Sequence, residues 1–250
     1  MPAKPASEAT PKRLLAKQLR EQELLTLAQH ILQQDGFAGL TMDRLTALSS
    51  VSKGTIYNHF CSKEDLFTAL SVDSLQRQLQ LFARALQIPG HSREQVLALH
   101  LAYHQFSMTE PTLFLCLLTA NTPGVIEKSS PSRLALRQQL EMQLVTICQQ
   151  LIAQAIAEGS LQLPAKQSLD ALAFVQWAQA FGSNALFKPT QQLGLFGQLE
   201  PQSTMLLGIN LLLDGLNWKP LSKEWDYHAS WQRMMTALAS EPLLADGQTN

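Results

Sequence analysis

Leu40–Leu66 reads LTMDRLTALSSVSKGTIYNHFCSKEDL, and this stretch decides the fold. Thr41 is placed to cap a short helix whose inward edge is Leu45 and Leu48, with Leu40 just outside it. Ser49-Ser50 breaks the pattern, Val51 packs back, and Ser52 caps a second helix running to Phe60. At 3.6 residues per turn, Ile56 and Phe60 share the inner side of that second helix. Its other side carries Gly54, Thr55 and Asn58, flanked by Lys53 and Tyr57 on one edge and His59 on the other. Small, hydrogen-bonding and cationic groups on an exposed face suit a helix that reads a nucleic-acid groove. Two short helices, a tight turn and a capped third helix make a helix-turn-helix. An ordinary helical hairpin inside an all-α core is the alternative.

VSKGTIYNHFCSKEDLF, residues 51–67, resembles the signature of the TetR (tetracycline-repressor-like) family of transcriptional regulators, and the likeness extends over roughly residues 20 to 70. The resemblance implies that the helix bearing Lys53, Gly54, Thr55, Tyr57 and Asn58 enters the major groove. It also implies that Tyr57, His59 and Lys63 touch phosphates, and it adds Thr41 and Ser52 to the DNA-facing set. Two departures stand out: Ser49-Ser50 where the family usually has Ala-Gly, and Thr46 where a small Ala is usual. A left-handed Ser50 costs about 1 kcal/mol relative to Gly. Ser62 is the expected cap of the next helix, with Asp65 where a capping-box acid sits. Lys63 in that first turn opposes the helix dipole, which a phosphate contact would explain.

The whole chain has 250 residues, enough for one large or two modest domains, and with 46% apolar and 16% charged residues it is globular. Its net charge of −1 looks wrong for a DNA binder until it is divided. Residues 1–63 carry eight Lys/Arg against five Asp/Glu, and the remainder eleven against fifteen. The positive charge therefore lies beside the reading helix, where phosphate neutralisation needs it. The polar start, MPAKPASEATPKR, is no secretory leader, and no apolar run approaches the ~18 residues that span a bilayer. A cytoplasmic location is expected. Cys61, Cys116 and Cys148 are scattered and odd in number, so no disulfide framework is implied. Cys61 lies next to a helix N-terminus that can lower its pKa.

Residues 1–10 read as a flexible arm, with Thr10-Pro11 opening a helix whose stripe is Leu24, Leu27, Ala28 and Ile31 and which ends near Asp35-Gly36. Lys12, Arg13, Lys17 and Arg20 precede that stripe, along DNA or as a solvated helix end. Expected helices follow at 62–86, 92–109 with a Ser92/Gln95 capping box, 111–121, 131–159, 168–187, 202–218 and 222–240. No strand alternation is found. The division expected is a flexible arm at 1–10, a DNA-binding domain at 11–61, a connecting helix at 62–86, and a helical ligand-binding and dimerisation domain at 87–250.

The helices 168–187 and 202–218 are apolar most of the way round and must be buried on more than one face. The family resemblance makes them a dimer interface, through Phe174, Ala178, Phe181, Ala185, Leu206, Ile209 and Leu213; burial inside one protomer is the alternative. A dimer presents two reading helices to a palindromic operator, ~34–36 Å apart. The resemblance also places a ligand cavity among 92–109, 131–159 and 168–187. Its expected lining is His100, Tyr103, His104, Phe106, Met142, Gln143, Trp177 and Asn184, suited to a small organic effector.

Enzyme signatures are missing: there is no Gly-rich phosphate loop, nucleophile elbow or Cys-x-x-Cys pair. No cofactor is expected. His100 and His104 have metal-ligand spacing without an acidic or Cys partner nearby. The expectation is a homodimeric, ligand-responsive repressor that releases a palindromic operator on binding a small organic molecule. The alternative is a metal- or redox-responsive regulator using His100/His104 or Cys61.

Overall fold

The computed structural model describes residues 11–163, 165–197 and 199–239, so the arm at 1–10 and the cap at Thr10 lie outside the described residues. The fold is all-α, with no strand among the described residues. Its helices are α1 (Pro11–Gly39), α2 (Met42–Leu48), α3 (Lys53–His59), α4 (Lys63–Ala85), α5 (Ser92–Thr109), α6 (Pro111–Ala120), α7 (Pro123–Lys128), α8 (Pro131–Ala157), α9 (Leu169–Gln192), α10 (Pro201–Gly215) and α11 (Tyr227–Ala239). The chain forms two compact units. One comprises the described residues up to Ser74 with Leu115–Arg137, the other Leu75–Phe114 with the described residues from Gln138 onward.

In the first unit, Leu24, Leu25, Ala28, Ile31 and Leu32 of α1 supply one buried stripe. Leu40, Leu45, Ile56, Phe60, Leu66 and Leu70 close over it, all shut off from solvent. The helix α1 bends at Gly36, whose φ of 68° and ψ of −175° a residue with a Cβ rarely adopts. Caps set the boundaries of the short helices. Thr41 Oγ1 accepts the Arg44 N–H at 3.0 Å, Ser52 Oγ the Thr55 N–H at 3.3 Å, and Ser62 Oγ the Asp65 N–H at 2.9 Å. The non-glycine residues with positive φ, among those described, are Lys166 and Asn217, so Ser50 is not left-handed. The turn is held instead by Ser49 Oγ, which accepts the Val51 N–H at 3.1 Å. No helix was expected at 123–128, where α7 forms behind Pro123.

In the second unit α5 is the central helix, packed against α9, α10 and α11 and buried along most of its length. Its capping box is one residue earlier than expected, between His91 and Glu94. Ser92 is buried, and its hydroxyl meets Ser160 Oγ at 3.0 Å and the Trp218 indole N–H at 3.4 Å. Arg93 is fully buried beside it and donates to the carbonyls of Trp218 and Pro220 and to Asn210 Oδ1. The same guanidinium pairs with Asp214 at 2.7 Å and lies 4.5 Å from the Tyr227 ring centre. The last helix starts at Tyr227 and not near Ser222: Glu224 accepts the Leu221 N–H in the preceding turn, and Asp226 caps the helix by accepting the Ala229 N–H.

Within the second unit six aromatic rings run in sequence. Phe82 meets Tyr103 edge-on at 6.5 Å, Tyr103 meets Phe114 at 5.5 Å, and Phe114 stacks on Phe181 at 5.1 Å. Phe181 then meets Trp177 at 5.8 Å and Trp177 meets Phe174 at 6.0 Å. The series starts in the core and ends on the open side of α9, where Trp177 and Phe174 are exposed.

Candidate nucleic-acid interface and effector region

The reading helix α3 has seven residues, fewer than two turns, and its orientation follows from its apolar side. Ile56 and Phe60 are buried, which turns Lys53, Gly54, Tyr57 and Asn58 to the surface and leaves Thr55 on the flank. The Ser52 and Thr55 hydroxyls lie 3.0 Å apart at the helix start. Lys53 Nζ donates to Asp43 Oδ1 at 2.9 Å, which raises its pKa, and sits over the Tyr57 ring at 5.9 Å. Both partners of that ion pair are exposed, so it is weak and readily exchanged for a phosphate. Thr41 is exposed at the start of α2.

Two expected phosphate contacts are otherwise engaged. His59 follows Thr55 by one helical turn, on the flank and not on the outer face, and its side chain is only 6% exposed. Its Nδ1 lies 3.2 Å from Glu21 Oε2. Lys63 Nζ donates to the Phe37 carbonyl at 3.1 Å and rests over the Phe67 ring. That carbonyl follows the break at Gly36, which gives Lys63 a structural reason to occupy a first turn.

Arg133, in the first turn of α8, was missed by sequence reasoning because its partners lie far away in the chain. It donates to Glu21 Oε1 at 2.7 Å, to Asp65 Oδ2 at 3.3 Å and to the His59 carbonyl at 2.7 Å, with its guanidinium 4.9 Å from the Phe60 ring centre. Asp65 also accepts the Ser130 N–H and O–H and the Cys61 N–H. Burial works against the charge of Glu21, but hydrogen bonding and attraction from Arg133 and His59 outweigh it and hold its pKa below the usual value. Burial likewise opposes Asp65, and Ser130, Arg133 and the Cys61 N–H outweigh it there. The Cys61 thiol is pushed up, by burial and then by Asp65, which reverses the activation expected from the nearby helix N-terminus.

The expected effector lining is only partly gathered. His100 is buried, with its pKa lowered to about 4 by burial, and so is neutral at pH 7. The Tyr103 hydroxyl is sealed from solvent with the Trp177 side chain beside it, and Gln176 Nε2 on α9 is sealed without a hydrogen-bond partner. Burial pushes the Tyr103 pKa well above its ordinary value. His104 Nδ1 lies 2.8 Å from Asn184 Oδ1, which also accepts the Ser107 hydroxyl at 2.9 Å. Phe106 is a core residue. Met142 is 62% exposed and Gln143 is also exposed, on the outer side of α8, so neither joins Tyr103 in a lining. Trp177, about half exposed, belongs to the aromatic series. The described cavities lie elsewhere: about 550 Å³ beside Leu206, Asn210, Trp225 and Tyr227, and about 230 Å³ beside Glu200, Leu206, His228 and Trp231. No group of three or more His, Cys, Asp or Glu suited to a metal occurs among the described residues.

On α10 the residues expected to meet a partner are covered within the protomer. Leu206, Ile209 and Leu213 are buried in their own unit, while Leu207 and Leu211 are 58% and 66% exposed. On α9, Phe174 and Ala178 are exposed, whereas Phe181 and Ala185 are half-buried. A helix that is apolar all round does not reveal its outer side by periodicity.

A capped pair of short helices with a small polar outer face, set in a bundle with α1 and α4, defines a helix-turn-helix protein. Residues 24–70 match the model of the family described as bacterial regulatory proteins, tetR family. The same region is 35% identical over 65 residues to the HTH-type transcriptional repressor AcnR of Corynebacterium diphtheriae, covering 26% of this chain and 34% of that protein. It is 31% identical over 64 residues to the HTH-type transcriptional regulator UidR of Escherichia coli K12, covering 26% of this chain and 33% of that one. The matched region thus spans about a third of the length of these curated relatives. A TetR/AcrR-family regulator of Thermobifida fusca shares the fold at a TM-score of 0.59 and 21% identity, over 78% of this chain and 97% of that one. Residues 24–70 thus carry the helix-turn-helix of the tetR family, and the chain shares its fold with TetR/AcrR-family regulators. No helix among the described residues is long and apolar enough to cross a membrane.

The lowered pKa values of Glu21 and Asp65 make the first unit acid-sensitive. Each acid binds its proton more weakly when folded, so its stabilisation is complete above the ordinary values of 4.5 and 3.8 and is lost as pH falls through the lowered ones. Thermal unfolding from about pH 6 to pH 3 is expected to show a falling Tm below about pH 4.5, with a shallower fall in Glu21→Gln. Identical slopes for the two proteins contradict this role of Glu21.

Proposed function

We propose that the protein is a homodimeric, ligand-responsive transcriptional repressor that acts on chromosomal DNA in the cytoplasm. In this reading α3 of each protomer enters the major groove of a palindromic operator. The observation that carries it is the outer face of α3, where Lys53, Gly54, Tyr57 and Asn58 are exposed within the segment matching the family model. Tyr57 and Lys53 suit phosphates, and Thr55 and Asn58 suit base edges. Lys12, Arg13 and Lys17 of α1 are exposed and add to the positive field. The wild type should select an inverted repeat from a randomised duplex pool. Thr55→Ala or Asn58→Ala should weaken binding to that duplex by about 1–3 kcal/mol and relax the preference at particular positions. A wild type that selects no sequence overturns the reading.

The dimer is supported by the apolar side of α9 and α10, where Phe174, Val175, Trp177, Leu207 and Leu211 remain exposed on the protomer. A charge there is harmless in a monomer and costs several kcal/mol in a desolvated interface. Leu211→Lys should therefore yield a folded monomer with much weaker operator binding. A wild type that sediments as a monomer at micromolar concentration rules the dimer out.

A small organic effector is supported by the buried Tyr103 hydroxyl, the unpartnered Gln176 amide nitrogen and neutral His100, polar groups inside apolar and aromatic walls. An effector of this kind inserts between α5 and α9, hydrogen-bonds Tyr103 and Gln176, and raises Tm by an amount that grows with the logarithm of its concentration over Kd. It releases DNA only if it binds the DNA-free state better, and a 100-fold preference supplies ~2.7 kcal/mol. For a compound found by thermal shift to release the selected duplex, Tyr103→Phe should abolish both effects while leaving ligand-free duplex affinity intact. If both effects survive in Tyr103→Phe, the effector binds elsewhere.

A further inference from the structure

We propose that Arg133 is a positioning residue for DNA reading: it fixes the angle at which α3 stands on its domain without itself touching DNA. The inference rests on the reading of α3 as the DNA-contacting helix. Arg133 occupies the first turn of α8, where a cation opposes the helix dipole, so its presence there needs another cause. Its side chain is 17% exposed and each guanidinium nitrogen serves a different element. Nη1 reaches Glu21 on α1, Nε reaches Asp65 on α4, and Nη2 reaches the carbonyl of His59, the last residue of α3. The flat side of the group rests on Phe60, the C-cap of α3.

A seven-residue helix is about 10 Å long and has almost no internal reinforcement. Its N-terminal end is held locally, by Ser52 capping Thr55. Its C-terminal end is held by Arg133 and by the buried Ile56 and Phe60. Apolar packing tolerates small tilts, whereas hydrogen bonds to base edges need placement within about 0.5 Å. Arg133 thus controls sequence preference more strongly than it controls stability. Lysine cannot replace it, because an ammonium is a point donor and does not span three acceptors in different directions.

The test uses the full chain and two duplexes of equal length, one selected by the wild type from a randomised pool and one scrambled. In Arg133→Lys the preference for the selected duplex is expected to fall about tenfold or more, with binding to the scrambled duplex and its salt dependence unchanged. Glu21→Gln, which keeps the acceptor's shape and removes its charge, is expected to lower the preference in the same direction. It carries the test if Arg133→Lys does not fold. The double variant should be no worse than Arg133→Lys alone, since both break one contact. Wild-type preference in the folded single variants overturns the positioning role, even if their Tm is lower. Equal weakening of both duplexes overturns it too, since that is the signature of a lost phosphate contact. A wild type without any preference overturns the underlying reading of α3, a distinct outcome seen before any variant is made.

Discussion

Each helix of an all-α chain ends on carbonyls with no partner of their own, and where such an end is buried some other group must donate to it. In this protein the donors are cationic side chains. Lys63 serves Phe37 past the break in α1, Arg133 serves His59 at the end of α3, and Arg137 serves Ala120 at the end of α6. Arg233 serves Pro89 after α4, Arg93 serves Trp218 and Pro220 after α10, and Arg84 serves Leu238 near the end of α11. Where the carbonyl closes a helix, as at His59, Ala120 and Leu238, the cation also complements the negative end of the helix dipole. Arg93 is the extreme case, because a fully buried guanidinium is tolerable only with Asp214, three neutral acceptors and an aromatic face around it.

Local signals made the first unit legible. The caps at Thr41, Ser52 and Ser62 and the buried pair Ile56 and Phe60 are read within a window of a few residues, and the structure places all of them as expected. What failed was long-range. His59 and Lys63 looked like free cations because Glu21 and the Phe37 carbonyl are distant in sequence. Arg133 carried no signal at all, since its four partners come from three other elements. In the second unit the difficulty was excess apolarity. With Leu, Ile and Met on every side of α10, periodicity did not separate Leu206 from Leu207, though one is buried and the other exposed. Met142 and Gln143 failed for the related reason that neither the rotation of α8 nor its neighbours is written in its own residues.

The two units use polar burial differently. In the first, Glu21, Asp65, Arg133 and the serines at 129 and 130 are mutually satisfied, and such a network specifies one arrangement of the elements it joins. In the second, Arg93 and Glu94 form a network around the segment that follows α10, but Arg93 Nε and His91 Nε2 within it stay unsatisfied, as do Gln176 Nε2 and Gln179 Oε1 on α9. Buried groups without partners are rare in folded proteins and accumulate where a ligand or a change of state supplies what is missing. The polar network that holds α3 is thus the more completely satisfied of the two.

The aromatic series from Phe82 to Phe174 has an optical consequence. Tyr103 lies two rings from Trp177, within the range over which tyrosine excitation passes to indole, so its own emission should be largely replaced by that of the tryptophan. Trp218 and Trp231 are sealed in the core and emit at short wavelength, while Trp177 on α9 and Trp225 ahead of α11 face solvent. The long-wavelength edge of the protein's fluorescence therefore carries the state of two surfaces, that of α9 at Trp177 and that before α11 at Trp225, and excitation of Tyr103 favours the first. Excitation entering at a core tyrosine leaves the molecule at its open face.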